Sequence, residues 1–236
     1  MDVFGEALRA YHAGRTEEVI HITRDDGWVD DHSPGVYFRD APSPVEAAAL
    51  AHAEGPLLDV GCGAGRHLLW CAGQGIAAHG IDVSPGAIAV CRERGLENVV
   101  LHDIMGPDQP NLPERPRTIT LFGNNVGIGG DFAGAVALFA RLHRIAAPKG
   151  RLLLTGIDIA RTDEPAHLSY HARNRAAGRR RGEIGMSFAY DGQVAPEIPW
   201  YHPEPNEVDD LAQASGWTVA QLARVGPFFW AMLERS

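Results

Sequence analysis

Alternating glycines with a carboxylate just before them are the feature of this sequence best suited to hold a ligand. Asp59 lies in the apolar run of residues 57–60, and Gly61, Gly63 and Gly65 follow at every second position. A short apolar run bounded by glycines predicts a buried strand. Because glycine has no Cβ, a ligand can approach the backbone N–H groups of such a turn closely. The pattern predicts a cofactor cradle at the carboxyl end of a parallel strand.

Two neighbouring features favour the same interpretation. A helical pattern begins at Arg66, and the positive end of a helix attracts anionic and polar ligand groups. Asp82 and Val83 follow a second apolar run, residues 77–81. An acid at this strand end is placed to accept hydrogen bonds from the hydroxyls of a ribose. Chains that bind nicotinamide cofactors also carry an acid there, so Asp82 alone does not identify the cofactor.

The spacing of the glycines separates the two cofactor classes. The dinucleotide fingerprint is G-x-G-x-x-G, whereas this chain has the tighter G-x-G-x-G after an acid. The tighter form resembles motif I of the class I S-adenosylmethionine (SAM) methyltransferases, and the resemblance covers about residues 55–156 and 205–235. It implies a Rossmann-like α/β fold whose seven-stranded, mostly parallel sheet has an antiparallel last strand. It also implies SAM as cofactor and S-adenosylhomocysteine (SAH) as product.

The resemblance extends to the ends of the third and fourth core strands. It places Asp103 beside the adenine and the Asn124-Asn125 pair opposite the transferred methyl group. A solvated loop carboxylate and a purely conformational role for the asparagines are the alternatives. Members that methylate amino groups often carry Asp or Asn followed by Pro-Pro-Tyr, which this chain lacks, so the acceptor atom stays open. The cofactor residues implied are Asp59, Gly61, Gly63, Gly65, Arg66, Asp82, Val83, Asp103, Ile104 and Asn124.

Alternating strand and helix patterns must position these residues. Such alternation predicts a parallel sheet with right-handed crossovers and ligands at the carboxyl ends of its strands. The predicted core strands are 57–60, 77–81, 98–101, 118–122 and 151–155, with helices at 65–73, 85–94 and 131–147. A final unit comprises helix 205–215 and strands 217–222 and 228–234.

We expect residues 1–54 to form a helical cap over the ligand pocket. Residues 55–236 are expected to form the methyltransferase domain. Residues 3–12 have a helical pattern, and 23–42 read as an ordered loop. A capping box from Ser43 to Glu46 begins a helix that continues to about residue 53. The cap residues expected to contact substrate are Tyr11, Tyr37 and Phe38, with ordinary packing as the alternative.

The insert of residues 157–199 interrupts the alternation. A helix over 165–174 would place His167, Tyr170, His171 and Asn174 on one face. We expect this face to meet the methyl site, with His171 as proton acceptor and His167 and Asn125 as further catalytic residues. Tyr170, Asn174 and Tyr201 are the expected substrate contacts. The alternatives are a helix that merely packs on the sheet, and a metal site, for which only two ligands are local; we expect no metal.

Composition narrows the remaining function classes. A net charge of −9 on 236 residues argues against general nucleic-acid binding. Three cysteines without CxxC spacing fit a reducing compartment. With neither a signal peptide nor a run of about 18 apolar residues in view, we expect a cytoplasmic monomer or homodimer that does not contact membranes.

Together these features predict a SAM-dependent methyltransferase that transfers the methyl group to an oxygen or nitrogen atom of a small molecule by in-line displacement. We expect the cap and the insert to close over the pocket, which would select a small substrate. The alternatives are a SAM-binding protein without catalysis and an NAD(P)-dependent oxidoreductase.

Overall fold

The structure is a computed structural model that describes residues 1–235. Its first elements are α1 (Val3–His12), β1 (Ile20–Arg24), β2 (Val29–His32), a 3-10 helix (Pro34–Phe38) and α2 (Pro44–Leu50). The predicted first helix is confirmed, and so is the capping box, in which the Glu46 carboxylate accepts the Ser43 N–H at 2.8 Å.

The expectation of a loop over residues 23–42 is wrong. This stretch completes the β1–β2 hairpin, in which Ile20 pairs with His32 and Thr23 pairs with Val29. The hairpin forms because isoleucines alternate with polar residues along β1 and because Gly27, at φ +86°, provides the tight turn.

The central part of the chain has the predicted alternation. Its elements are β3 (Leu57–Val60), α3 (Arg66–Gly73), β4 (Ala78–Asp82), α4 (Pro85–Glu93), β5 (Val99–Leu101), β6 (Thr118–Leu121), α5 (Phe132–Ile145) and β7 (Arg151–Ile157). Every residue of β3 and β6 is buried, as expected of strands covered by helices on both faces.

The insert contains more regular structure than its sequence pattern indicates. It holds α6 (Pro165–Ala176), β8 (Glu183–Tyr190), β9 (Gln193–Val194) and β10 (Ile198–Tyr201). The chain then ends with α7 (Glu207–Ser215), β11 (Trp217–Val225) and β12 (Phe228–Arg235), close to the predicted final unit.

The main sheet confirms the expected class I methyltransferase fold. Its seven strands lie in the order β11-β12-β7-β6-β3-β4-β5. Strands β3 to β7 pair in parallel, whereas β12 is antiparallel to both β7 and β11. The carboxyl ends of the parallel strands therefore share one edge, on which the glycine turn and the residues after β4, β5 and β6 all lie.

A second sheet joins the two segments that flank the core. Its order is β10-β8-β1-β2, with β9 paired to β8. Strand β1 pairs with β8 so that His21 lies opposite Ala189 and Arg24 opposite Met186. The N-terminal segment is therefore not only helical, and it shares hydrogen bonds with the insert.

The N-terminal helix is fixed to the core at α4. One Asp2 carboxylate oxygen accepts hydrogen bonds from the Ser84 hydroxyl at 2.9 Å and from the Gly86 N–H at 2.7 Å. A Cβ on Gly86 would lie 2.6 Å from the Gly5 backbone, so the two segments pack at a distance that requires glycine. These contacts hold the N-terminal segment beside the glycine turn.

Candidate cofactor and substrate site

The glycine turn has a backbone that favours glycine at all three alternating positions. Gly61, Gly63 and Gly65 have φ values of +73°, +54° and +78°. From the neighbouring strand end, the Asn125 amide nitrogen donates to the carbonyl oxygens of Val60 at 2.8 Å and Gly61 at 3.1 Å. Asn125 therefore positions the turn, a role that differs from the direct catalytic one expected of it.

Asp82 ties the second strand end to the turn. One carboxylate oxygen accepts the Gly63 N–H at 2.8 Å, and the other accepts the Ser84 N–H at 2.9 Å. Burial raises the pKa of Asp82, although these two N–H donors oppose the rise. Each oxygen keeps the capacity to accept another hydrogen bond. Val83, which is 64% exposed, offers an open apolar surface beside it.

The residues after β5 have different environments. Asp103 is exposed, and its carboxylate accepts the Met105 N–H at 2.8 Å, which closes a short turn. Ile104 is buried in the main core. Of these two predicted cofactor residues, only Asp103 has a side chain open to a ligand.

Asn124 links the ends of β6 and β7. Its φ is +66°, in the left-handed region that asparagine tolerates better than most residues. Its side-chain oxygen accepts the Ile157 N–H at 2.9 Å. This places Asn124 on the far side of the glycine turn from Asp82.

A buried charge network lies under the turn. One Asp59 oxygen accepts the Thr120 hydroxyl at 2.6 Å, and the other lies 3.2 Å from His67 Nδ1. His67 Nε2 lies 3.4 Å from a Glu46 oxygen, and Glu46 forms a two-pronged pair with Arg66, with one N–O distance of 2.7 Å. Asp59 is thus bonded within the protein rather than open to a ligand.

The network alters the pKa values of two of its members. Burial disfavours the charged forms of both His67 and Glu46. Asp59 and Glu46 nevertheless raise the pKa of His67. The nearby His67 imidazole and the hydrogen bonds from Arg66 similarly hold the pKa of Glu46 well below its usual range, despite burial. The network therefore favours the protonated form of His67, whose ring lies between two carboxylates.

A cavity of about 450 Å³ lies next to Arg66 and Asn124. Its size falls in the range of small-molecule sites. It is lined by Val36, Arg39, Ser43, Pro44, Val45, Glu46, Arg66, Gly123, Asn124, Thr155, Gly156, Val225, Gly226, Pro227 and Phe228. The lining thus comes from the ends of β6 and β7, the β11–β12 turn and the N-terminal segment.

Of the three aromatic residues expected to contact substrate from the cap, only Tyr37 reaches the glycine turn. Its ring lies 3.6 Å from the position that a Cβ would occupy on Gly63, and burial raises its pKa to about 12. Tyr11 and Phe38 stack on each other with ring centres 4.7 Å apart, and neither lines the cavity.

The predicted polar face of α6 forms but does not line the cavity. The Tyr170 hydroxyl donates to Asp25 at 2.6 Å, and His167 Nδ1 lies 3.1 Å from the Thr162 hydroxyl. Burial, with help from Arg181, lowers the pKa of His171 to about 4. His171 is therefore a neutral, weakly basic imidazole.

Asn174 and Tyr201 are structural in this arrangement. Both are 0% exposed. Asn174 donates to the carbonyl oxygens of Arg181 at 3.1 Å and Glu183 at 2.7 Å, while Tyr201 donates to Glu207 at 2.8 Å. Since neither has surface available to a ligand, the geometry does not support the expected substrate contacts.

No group of three or more His, Cys, Asp or Glu side chains within residues 1–235 is arranged to hold a metal ion. In the same range, no helix combines the length and the apolar character that crossing a bilayer requires.

Comparison with known proteins agrees with this geometry. Residues 57–150 match a family model described as a methyltransferase domain. No curated protein matches the chain significantly. Residues 57–150 are therefore similar to a methyltransferase domain, in agreement with the class I methyltransferase fold of the main sheet.

Solved structures give the same fold over most of the chain. A SAM-dependent methyltransferase from Bacteroides fragilis, solved with SAH, has a TM-score of 0.82 and 22% identity, over 98% of this chain and 94% of that one. The CcbJ methyltransferase from Streptomyces caelestis has a TM-score of 0.63 and 15% identity, over 85% of this chain and 95% of that one. An O-methyltransferase from neocarzinostatin biosynthesis was solved with SAH and 1,4-dihydroxy-2-naphthoic acid. It has a TM-score of 0.52 and 20% identity, over 76% of this chain and 49% of that one.

Proposed function

We propose that this protein is a SAM-dependent methyltransferase that transfers the methyl group to an oxygen or nitrogen atom of a small molecule. The observation that carries the proposal is the bond between the Asp82 carboxylate and the Gly63 N–H, inside a methyltransferase domain and beside a cavity of about 450 Å³. The SAH complexes among proteins of the same fold support the choice of cofactor.

The order of residues along the strand ends supports one orientation for SAM. Asp82 would accept the ribose hydroxyls, while Val83 and Asp103 would meet the adenine. The amino-acid end would then follow the glycine turn towards Asn124, because β3 and β6 are neighbours in the sheet. This orientation brings the reactive end to the cavity.

The protein contributes alignment and exclusion of water. SAM supplies a methyl group on a sulfonium, which departs as a neutral thioether. The residues around the cavity have to hold the acceptor lone pair in line with the carbon–sulfur bond, and such alignment can be worth about 7–11 kcal/mol. A strong base is needed only for an acceptor that stays protonated, so the proposal does not depend on His171.

The cavity's walls support a small substrate. The 3-10 helix of residues 34–38 and the start of α2 cover it from the N-terminal side, and the β11–β12 turn borders it. A site enclosed on several sides suits a compact molecule rather than a polymer.

The proposed setting is a reducing one. Cys62, Cys71 and Cys91 are free and buried, which suits a compartment where thiols persist. We therefore propose a cytoplasmic location. We further propose that the protein acts as a monomer or homodimer that contacts neither membranes nor nucleic acid.

Calorimetry with purified protein tests the cofactor assignment. SAM and SAH should bind in the micromolar range, while NADH, titrated in parallel, should not bind. Failure of the folded protein to bind either SAM or SAH would overturn the proposal. Binding of NADH alone would indicate an oxidoreductase instead.

A further inference from the structure

We propose that the substrate carries a carboxylate on an otherwise apolar scaffold, and that Arg39 binds this carboxylate at the mouth of the cavity. The proposal rests on the proposed function, since it names the class of molecule that receives the methyl group. It follows from the charges and the apolar surfaces that line the cavity.

Three charged residues line the cavity: Arg39, Glu46 and Arg66. Glu46 and Arg66 neutralise each other through their two-pronged pair and are almost fully enclosed. Arg39 is exposed and forms neither an ion pair nor a side-chain hydrogen bond with any residue in the range 1–235. The cavity thus has one uncompensated positive charge, although the chain as a whole carries −9.

Most of the remaining lining side chains are apolar. They are Val36, Pro44, Val45, Val225, Pro227 and Phe228. Phe228 is 40% exposed, so its ring offers open surface at the cavity. Apolar walls with a few placed polar groups are typical of sites that bind compact organic molecules. The walls therefore favour a hydrocarbon or aromatic scaffold on the substrate.

The single guanidinium favours a carboxylate over a phosphate. Its planar fork matches the two oxygens of a carboxylate, and one cation balances one negative charge. A phosphate ester, close to doubly charged near neutral pH, would leave charge uncompensated. Arg39 ends the 3-10 helix that also carries Tyr37, so the residue that would bind the carboxylate belongs to the segment covering the glycine turn.

The test uses three matched pairs of probes, each comparing a carboxylate with its amide. The pairs are benzoate and benzamide, 2-naphthoate and 2-naphthamide, and indole-3-carboxylate and indole-3-carboxamide. Each probe is titrated by calorimetry into the full chain saturated with SAH. At least one carboxylate should bind more tightly than its amide.

The decisive comparison is between Arg39→Gln and a matched control. In Arg39→Gln, the preferred carboxylate should bind about 10- to 100-fold more weakly, the usual effect of losing a charged hydrogen-bond donor. Arg92→Gln removes the same charge from an exposed position on α4 that does not line the cavity, and it should leave carboxylate binding unchanged.

Distinct results would overturn the inference. If no carboxylate binds or is preferred, or if Arg39→Gln binds it as the wild type does, the substrate class is wrong. If Arg39→Gln instead weakens binding of SAM itself, Arg39 serves the cofactor's own carboxylate and the inference fails. SAH titration of the wild type comes first, so its failure to bind would count against the proposed function separately.

Discussion

Asn125 holds Gly61 in place from the neighbouring strand end. Its side-chain nitrogen lies 3.1 Å from the Gly61 carbonyl oxygen and 2.8 Å from that of Val60. A Cβ on Gly61 would overlap this same nitrogen. The shape of the cofactor turn therefore depends on a side chain 64 positions further along the chain.

Gly61→Ala should destabilise the protein more than Gly75→Ala, its matched control. Both glycines have positive φ, +73° and +71°, so both variants incur backbone strain of about 1–2 kcal/mol. A Cβ on Gly75 meets nothing within 4 Å. Gly61→Ala should also lose the Asn125 hydrogen bonds, at about 1 kcal/mol each. Urea unfolding measures the difference, and equal losses would contradict the role assigned to Asn125.

Asp82→Ala should weaken SAM binding while the protein stays folded. A carboxylate that accepts hydroxyl hydrogen bonds contributes about 1.5–3 kcal/mol, which is about tenfold to hundredfold in affinity. Calorimetry gives the dissociation constant, and thermal unfolding shows whether losing the Gly63 and Ser84 contacts has disturbed the fold. An unchanged dissociation constant would remove Asp82 from the ribose site.

His171→Gln tests whether the imidazole acts as a base. Removal of a general base costs about 10²–10⁴ in rate. Because His171 does not line the cavity and its pKa is lowered to about 4, we expect a loss below tenfold with SAM affinity intact. Steady-state kinetics with an identified substrate decide the matter. A hundredfold fall in kcat would restore His171 as the proton acceptor predicted from the sequence.

The Glu46–His67 contact should give stability a definite pH dependence. The pKa of Glu46 is lowered from 4.5, so its contribution is complete above pH 4.5 and is lost as the pH falls. The pKa of His67 is raised from 6.5, so its contribution is complete below pH 6.5 and is lost as the pH rises through the raised value. Between these limits both contributions are present.

Urea unfolding of the wild type and of His67→Gln, measured from pH 3 to 9, would separate the two contributions. The free energy of unfolding of the wild type should decline above pH 6.5, whereas that of the variant should not. Both proteins should lose stability in acid. If the free energies of unfolding of the wild type and the variant decline in parallel above pH 6.5, His67 is not the group responsible for the decline.

The sequence predicted the core well because its strands are short apolar runs fixed by local signals. β3 is bounded by Pro56 and Gly61, and α4 begins at Ser84-Pro85. The local sequence alone therefore indicates where both elements begin. The same reasoning missed the second sheet. Strands β1 and β8 are only partly buried, and they pair with each other although they lie far apart in the chain, where local pattern gives little guidance.

The charge network was missed for a related reason. The sequence identifies Glu46 as part of a helix cap, and Glu46 does accept the Ser43 N–H. Its contacts with Arg66 and His67 span about 20 residues and depend on how α2 packs beside α3. A carboxylate at a helix start had a sufficient local explanation, so nothing in the sequence indicated its second role.

The pairing of β1 with β8 constrains any exchange of the insert between related proteins. Here a foreign insert lacking a compatible β8 would leave β1 with an unpaired edge, open to association with other chains. A chimera should therefore carry residues 1–45 and 157–201 together from one parent, with the glycine turn and its sheet from the other.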